Sequence, residues 1–300
     1  MNILQVCGEQ LLTRYLNPKY DFAIICDNEY LLMALEMQKV AEVKRLDSQI
    51  MVITSSEEAH DHFQKCVKMD KECIVLLSES SFVNFKLRQY LDLLSEGIPL
   101  VHGLNKKSYV SILPLESAVR VYSSDYSQDK KAIDAILSKL CDDRIHQIKT
   151  AAGTDITFTS RKWGILGNEI YTAPMETSIN GIIAVDGALF FKKLSTTLYV
   201  EVSNGKFTSM YAESEQAKLS IDEYTHMTKT QFAFEENKQL AEVGIGINTN
   251  AIISDCFMES EMMFGTCHFC FGNNACYGGA NKTNFHGASV LIKNPHFIVL

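Results

Sequence analysis

The feature that most constrains the fold is a change in hydrophobic pattern along the chain. Four short apolar runs in the first half have the composition of buried strands. They lie at residues 22–26, 50–54, 73–77 and 99–103. Three stretches between them have the spacing of amphipathic helices, at residues 30–46, 57–68 and 81–94. Strands that alternate with helices in this way predict a mainly parallel sheet joined by right-handed crossovers.

The second half has a different pattern, with runs of β-branched and aromatic residues separated by tight turns. These runs lie at residues 182–191, 196–203 and 206–211, with Asp-Gly at 186–187 and Asn-Gly at 204–205. Such turns favour antiparallel hairpins. A polar stretch at 124–150, with a predicted helix at 131–140, separates the two patterns. We therefore predict an α/β protein, with a mainly parallel layered α/β domain at residues 1–145 and an α+β domain with antiparallel hairpins at 146–300.

Composition narrows the functional classes. A net charge of −8 and a pI near 5.5, without clusters of Lys and Arg, argue against binding to nucleic acid. No apolar run approaches the ~20 residues that span a bilayer. The amino terminus lacks the basic and apolar regions of a secretory signal. We therefore expect a cytoplasmic protein without membrane association, whose nine cysteines are reduced.

Three of these cysteines surround a histidine. Cys267, Cys270 and Cys276 have C-x2-C-x5-C spacing around His268. On a strand, Cys267 faces away from His268, whereas Cys270 shares the face of His268. A structural role is favoured for these small side chains. Cys270 differs from the others, because a thiol beside a metal is either a soft ligand or an oxidation-sensitive neighbour.

Two acidic residues and two histidines next to glycines and turn formers are candidate metal ligands. They are Glu176, Glu242, His268 and His286. Carboxylates and neutral imidazoles suit zinc, iron(II) or manganese. His268 lies on a strand predicted to end at Gly272, His286 opens another strand, and a helix within 229–241 is predicted to lead to Glu242. The alternative for each residue is a buried, hydrogen-bonded histidine or a solvated glutamate.

Six segments between residues ~146 and 295 support the metal-site interpretation by occurring in one order. They are GTDITF (153–158), PMETSING (174–181), VDGAL (185–189), EVGIGIN (242–248), GTCHFCFGNN (265–274) and GGANKTNFH (278–286). With these segments the chain resembles the metallopeptidases typified by aminopeptidases T and S, which share a fold with 2,5-dihydroxypyridine dioxygenase. The resemblance implies that Glu176, Glu242, His268 and His286 are metal ligands, that Tyr277 is a catalytic tyrosine and that the protein is a homodimer.

One position departs from the family. The family carries a His-x-Asp signature at its last histidine, and this chain has Ala288 where the Asp would stand. Glu176 and Glu242 are then the only carboxylates that offset the four positive charges of two divalent metal ions. A single ion held by His268, His286 and one glutamate is more economical, with the other glutamate as a base or an orienting group.

These considerations predict a metal-dependent hydrolase in which metal-activated water attacks a peptide or amide carbonyl. Glu176 or Glu242 takes the proton, and Tyr277 assists. The expected ion is zinc, cobalt or manganese, and the expected substrate is a peptide or a small molecule. One alternative is a mononuclear iron(II) dioxygenase-like enzyme acting on a small aromatic substrate, and another is a non-catalytic binding relative. His102, at the end of the predicted strand 99–103, is a further residue that could face the site.

Overall fold

The structure is a computed structural model of the 300-residue chain and describes residues 2–16, 21–69, 72–78 and 108–300. The predicted helix at 81–94 and the predicted strand at 99–103, with His102, lie outside these residues. Contacts divide the chain into two compact units, Met1–Ser124 and Asp125–Leu300.

The first unit is built on a parallel sheet. Its strands are β1 (Phe22–Cys26), β2 (Ser48–Val52), β3 (Glu72–Leu77) and β4 (Ser108–Ile112), in the order β2-β1-β3-β4. Its helices are α1 (Ile3–Gln10), α2 (Leu31–Val43), α3 (Ser56–Met69) and α4 (Leu115–Tyr122), with a π-helical turn at Leu11–Leu16 and a 3-10 turn at Asn28–Tyr30. All five residues of β1 are buried, as expected for a central strand covered on both faces.

The second unit contains two antiparallel sheets and three helices. The helices are α5 (Tyr126–Leu137), α6 (Glu215–Thr228) and α7 (Phe257–Met262), with 3-10 turns at Glu235–Lys238 and Ala275–Tyr277. The six-stranded sheet has the order β13-β12-β9-β6-β5-β17. Its strands are β5 (Ile145–Lys149), β6 (Asp155–Thr159), β9 (Asn180–Val185), β12 (Leu198–Ser203), β13 (Lys206–Tyr211) and β17 (His296–Val299).

The seven-stranded sheet, in the order β11-β10-β16-β15-β14-β8-β7, carries the candidate site. Its strands are β7 (Gly164–Leu166), β8 (Glu169–Thr172), β10 (Ala188–Leu189), β11 (Lys192–Lys193), β14 (Leu240–Gly246), β15 (Thr266–Gly272) and β16 (His286–Lys293). The combination of a parallel sheet, antiparallel sheets and helices confirms the predicted α/β class.

The two sheets of the second unit share one apolar core. The six-stranded sheet contributes residues such as Ile156 and Val200 to it, and the seven-stranded sheet contributes Val243 and Phe269. Because side chains alternate along a strand, the residues next to Val243 and Phe269 point to the opposite face of the sheet. That face carries Glu242, His268 and Cys270. The core therefore fixes the orientation of the acidic and imidazole side chains.

One feature differs from the sequence-based expectations. Glu242 lies within strand β14 and does not follow a helix, because residues 240–246 are all buried and pair with β8 and β15. Between α6 and this strand the structure has only the 3-10 turn Glu235–Lys238 as regular helical structure. Helix α5 belongs to the second compact unit, where it buries Ile133 in the core. The domain boundary at residue 145 stays a prediction.

No helix in the described ranges combines the length and apolarity that a bilayer crossing requires.

Replacing Gly205 tests the turn between β12 and β13. Gly205 has φ +81°, and a Cβ there would overlap with the carbonyl oxygen of Glu176. We expect Gly205→Ala to lower the free energy of unfolding by about 3 kcal/mol or more, measured by urea denaturation. The control is Gly167→Ala, at φ +57° with no atom within 4 Å of the added methyl, which should cost only about 1–2 kcal/mol. Equal costs for the two variants would contradict this packing argument.

Candidate metal centre

The first group of potential ligands comes from three neighbouring strands. Glu169 on β8, Glu242 on β14 and His268 on β15 place one ligand atom each within 4.8 Å of one another. All three residues are buried, and Nε2 of His268 lies 3.2 Å from Oε2 of Glu169. Because each residue sits inside a paired strand, the group is held by the backbone of the sheet.

A second group shares one member with the first. Glu242, Cys270 and His286 also place one ligand atom each within 4.8 Å of one another. Glu242 and Cys270 are direct partners in the β14–β15 register, and His286 begins the adjacent strand β16. Oε2 of Glu242 lies 3.1 Å from Nε2 of His286. Glu242 is therefore the side chain that links the two groups.

The glycines of strand β14 make room for this arrangement. Gly244 lies opposite His268 in the β14–β15 register, and a Cβ at Gly244 would overlap with Cε1 and Nε2 of the imidazole ring. A Cβ at Gly246 would overlap with the carbonyl oxygen of Met263, just after α7. The alternating glycines after Glu242 thus let a ring and a main chain lie close against the strand.

The hydrogen bonds of His286 define its protonation. Its Nδ1 lies 2.7 Å from the carbonyl oxygen of Asn273, which can only accept a hydrogen bond, so Nδ1 carries a proton. Nε2 then faces the carboxylate of Glu242, and a proton or a cation must lie between these two groups. Burial disfavours the charged ring, but the hydrogen bond and charge of Glu242 outweigh burial and raise the pKa of His286.

The electrostatics of the first group favour a cation. Burial raises the pKa of Glu169 well above its ordinary value, and the charges of Glu242 and of Glu261 on α7 raise it further. Within the described part of the chain, Nδ1 of His268 makes no hydrogen bond, and Oε2 of Glu169 has only the 3.2 Å approach of Nε2 of His268. A bound divalent ion would offset the repulsion between the carboxylates and use their oxygens. The donor set of carboxylates and imidazoles fits such an ion.

Two tyrosines lie beside the groups. The ring of Tyr277 is 5.5 Å from that of His286 and 5.1 Å from that of Tyr171, between ring centroids. Burial raises the pKa of the Tyr277 phenol well above its ordinary value, and the charge of Glu242 adds to the effect. The sequence-predicted Tyr277 therefore lies next to His286 and keeps its proton.

Glu176 lies in neither group of potential ligands. Its Oε2 accepts a hydrogen bond from Nη2 of Arg161 at 2.6 Å, and its Oε1 accepts from Nδ2 of Asn274 at 3.0 Å and from the backbone N–H of Ala280 at 2.6 Å. Burial opposes ionisation, but these donors outweigh it and lower the pKa of Glu176 to about 2. Through these hydrogen bonds, the carboxylate links the segments that carry Arg161, Asn274 and Ala280. Its assignment as a metal ligand stays a prediction that these contacts do not support.

Ala288 lies in an irregular part of strand β16. It has φ +50°, in the stretch where the β15–β16 register shifts. Its side chain belongs to the apolar core, and its carbonyl oxygen accepts a hydrogen bond from the hydroxyl of Tyr224 at 2.6 Å. Ala288 thus contributes packing and a hydrogen-bond acceptor in this structure.

The structure brings together three of the four predicted ligands and adds residues that sequence reasoning missed. Glu242, His268 and His286 meet through the shared carboxylate. The added potential ligand is Glu169, and Glu261 adds a charge that acts on it. Glu169 follows a Gly-Asn turn and opens a short apolar strand. A glutamate at the start of an apolar strand was the available signal for Glu169. Glu261 lies in the short helix α7 next to Met262, and its pattern gave no such signal.

Comparison with known proteins supports the fold. No family model and no curated protein matches the chain. Its structure is similar to that of wild-type AmpT from Thermus thermophilus, with a TM-score of 0.62 at 15% sequence identity. The match covers 99% of this chain and 95% of that one. This likeness shows a common fold over nearly the whole chain.

Gly244→Ala tests the position of the His268 ring. The added methyl must displace the imidazole, so we expect zinc affinity to fall by at least on the order of 10-fold. Titration calorimetry of the chelator-treated protein measures this change. The matched control is Val243→Ala on the opposite face of β14, which should lower stability by roughly 2 kcal/mol and leave zinc affinity unchanged. Unaltered zinc binding in Gly244→Ala would remove His268 from the site.

Glu176→Gln tests the ion pair with Arg161. The pKa of Glu176 is lowered from 4.5 to about 2, so the ionised form stabilises the folded protein above about pH 4.5, and this stabilisation is lost as the pH falls toward 2. Near neutral pH, after allowance for solvent screening, we expect the variant to be less stable by about 1–2 kcal/mol. The difference from wild type should narrow as the pH falls from 5 to 3 in urea denaturation. A difference that grows on acidification would contradict the assignment.

Proposed function

We propose that this protein is a metal-dependent hydrolase that cleaves a peptide or amide bond in the manner of an aminopeptidase. The observation that carries this proposal is the buried group of Glu169, Glu242 and His268, in which two carboxylates and an imidazole converge. The fold likeness to AmpT, an aminopeptidase T, supports the same class.

Glu169, Glu242 and His268 are the residues proposed to hold a divalent ion. Zinc, cobalt and manganese suit this set of oxygen and nitrogen donors. When bound, such an ion supplies Lewis acidity that polarises a carbonyl and lowers the pKa of water. The three strands supply the rigidity that keeps the donors aimed at one point.

Glu242 is the proposed proton acceptor. Of the two sequence candidates, Glu176 has a pKa of about 2 and is therefore a weak base. Glu242 is buried and belongs to both groups of potential ligands, so its carboxylate would be positioned to take the proton of the attacking water. Attack forms a bond between the water oxygen and the carbonyl carbon. The carbon–nitrogen bond then breaks, and the proton passes from Glu242 to the leaving amine.

Tyr277 is the proposed donor to the developing oxyanion. Its phenol keeps its proton because burial and Glu242 raise its pKa. Its ring lies beside His286, at the edge of the shared site. A neutral phenol in this position can donate a hydrogen bond to charge that develops on the carbonyl oxygen.

The iron(II) alternative has less support. A mononuclear iron(II) site of this kind uses two histidines and one carboxylate around one ion. Among the described residues, His268 and His286 belong to different groups, each with one histidine. We therefore favour hydrolysis over oxygen chemistry.

Removal and return of metal ions tests the proposed function. We expect chelator-treated protein to lose hydrolysis of short peptides with a free amino terminus, and zinc, cobalt or manganese to restore it. N-acetylated peptides of the same sequence are the substrate control and should be cleaved far more slowly. Chromatographic detection of the released amino acid measures the reaction. Full activity after metal removal, or iron-dependent oxygen consumption without hydrolysis, would overturn the proposal.

A pair of glutamate variants locates the chemistry. We expect Glu242→Gln to lower kcat/KM by on the order of 100-fold or more, because it removes the proton acceptor. Glu176→Gln should keep most of the activity, since its carboxylate lies outside both ligand groups. The reverse ranking of the two variants would return the base role to Glu176.

A further inference from the structure

We propose that Cys270, with Glu242 and His286, forms a second cation subsite beside the first, selective for thiophilic ions such as zinc and cobalt. This inference rests on the proposed metal-dependent function and adds a ligand of a different chemical class. The sulfur would take the place of an oxygen ligand.

The geometry of the sheet places the three donors together. Cys270 lies directly opposite Glu242 in the β14–β15 register, and His286 begins strand β16 on the other side of β15. Sγ of Cys270, a carboxylate oxygen of Glu242 and a ring nitrogen of His286 all lie within 4.8 Å of one another. Cys267, on the same strand, points into the apolar core. The alternation of the strand thus distinguishes Cys270 from its neighbour.

The hydrogen bond at Nδ1 of His286 orients the ring so that Nε2 could bind a cation. Its Nδ1 donates to the carbonyl oxygen of Asn273, and its Nε2 faces Glu242 at 3.1 Å. Histidines that bind metal ions commonly donate their other ring N–H to a backbone carbonyl, which fixes the tautomer and directs the lone pair to the ion. This side chain, 2% exposed, is an observation independent of the cysteine.

Ser289 forms a hydrogen bond with the thiol of Cys270. The Ser289 hydroxyl lies 2.6 Å from Sγ of Cys270, and either atom can be the donor. When a cation binds, the thiol releases its proton to solvent, and the hydroxyl can donate to the resulting thiolate. The hydrogen bond also holds the sulfur in one orientation.

A thiolate at Cys270 would help to neutralise two bound ions. Two ions carry four positive charges, and the buried carboxylates beside them are those of Glu169, Glu242 and Glu261. A thiolate at Cys270 would add a negative charge within the second group. A soft thiolate favours zinc and cobalt over manganese and magnesium. The subsite would therefore prefer zinc or cobalt to manganese or magnesium.

Cobalt(II) titration of the metal-stripped protein tests the inference. We expect a thiolate-to-cobalt charge-transfer band in the near ultraviolet as the second ion binds. Cys270→Ala should lose this band and weaken the second binding step by at least on the order of 10-fold. Cys267→Ala is the matched control on the opposite face of β15 and should keep the band.

The outcomes separate the two proposals. Cobalt that binds with visible absorption but no charge-transfer band overturns the role of Cys270 and leaves the metal-dependent hydrolase intact. A band that persists in Cys270→Ala also overturns it, whereas protein that takes up no cobalt overturns both proposals. If Cys270→Ala does not fold, X-ray absorption of zinc-loaded wild-type protein decides, because a zinc–sulfur distance of ~2.3 Å supports the proposal and a shell of only nitrogen and oxygen refutes it.

Discussion

The site depends on the antiparallel pairing of β14 with β15, which sets every side chain of these strands on one of two faces. Val243 and Phe269 pack into the core, so the side chains of Glu242 and His268 point to the opposite face of the sheet. Slippage of the register by one residue would exchange the two faces. The apolar packing that stabilises the second unit is thus also what assembles the donors. Stability and chemistry are set by the same strand pairs.

The buried carboxylates lower the stability that this packing provides. Glu169, Glu242 and Glu261 lie close together with little solvent, and burial together with their mutual repulsion raises the pKa of Glu169. Isolated buried charge costs several kcal/mol, which a sheet with a continuous apolar face can tolerate. A bound cation would offset this free-energy cost, which favours binding of the cation. Glu176 illustrates the opposite solution, since Arg161 and two further donors satisfy its carboxylate without any ion.

The sequence predicted those features that depend on local pattern. Strand β1 and the hairpin of β12 and β13 follow from apolar runs and an Asn-Gly turn, and alternation along β15 placed His268 and Cys270 on one face. Features that depend on tertiary contacts were not accessible. Residues 229–241 were expected to include a helix, but pairing of the following residues with β8 and β15 extends the chain into a strand. Glu169 and Glu176 are seven positions apart, and only the course of β8 shows that Glu169 is the one that meets His268.

Glu242 belongs to both groups of potential ligands, so ion binding at one group would affect ion binding at the other. An ion in either group would orient the shared carboxylate and also repel a second ion of like charge. The two occupancies are therefore not independent. By thermodynamic reciprocity, any factor by which one ion changes the affinity for its neighbour acts equally in the other direction. Cooperativity of loading, of either sign, is built into a single side chain.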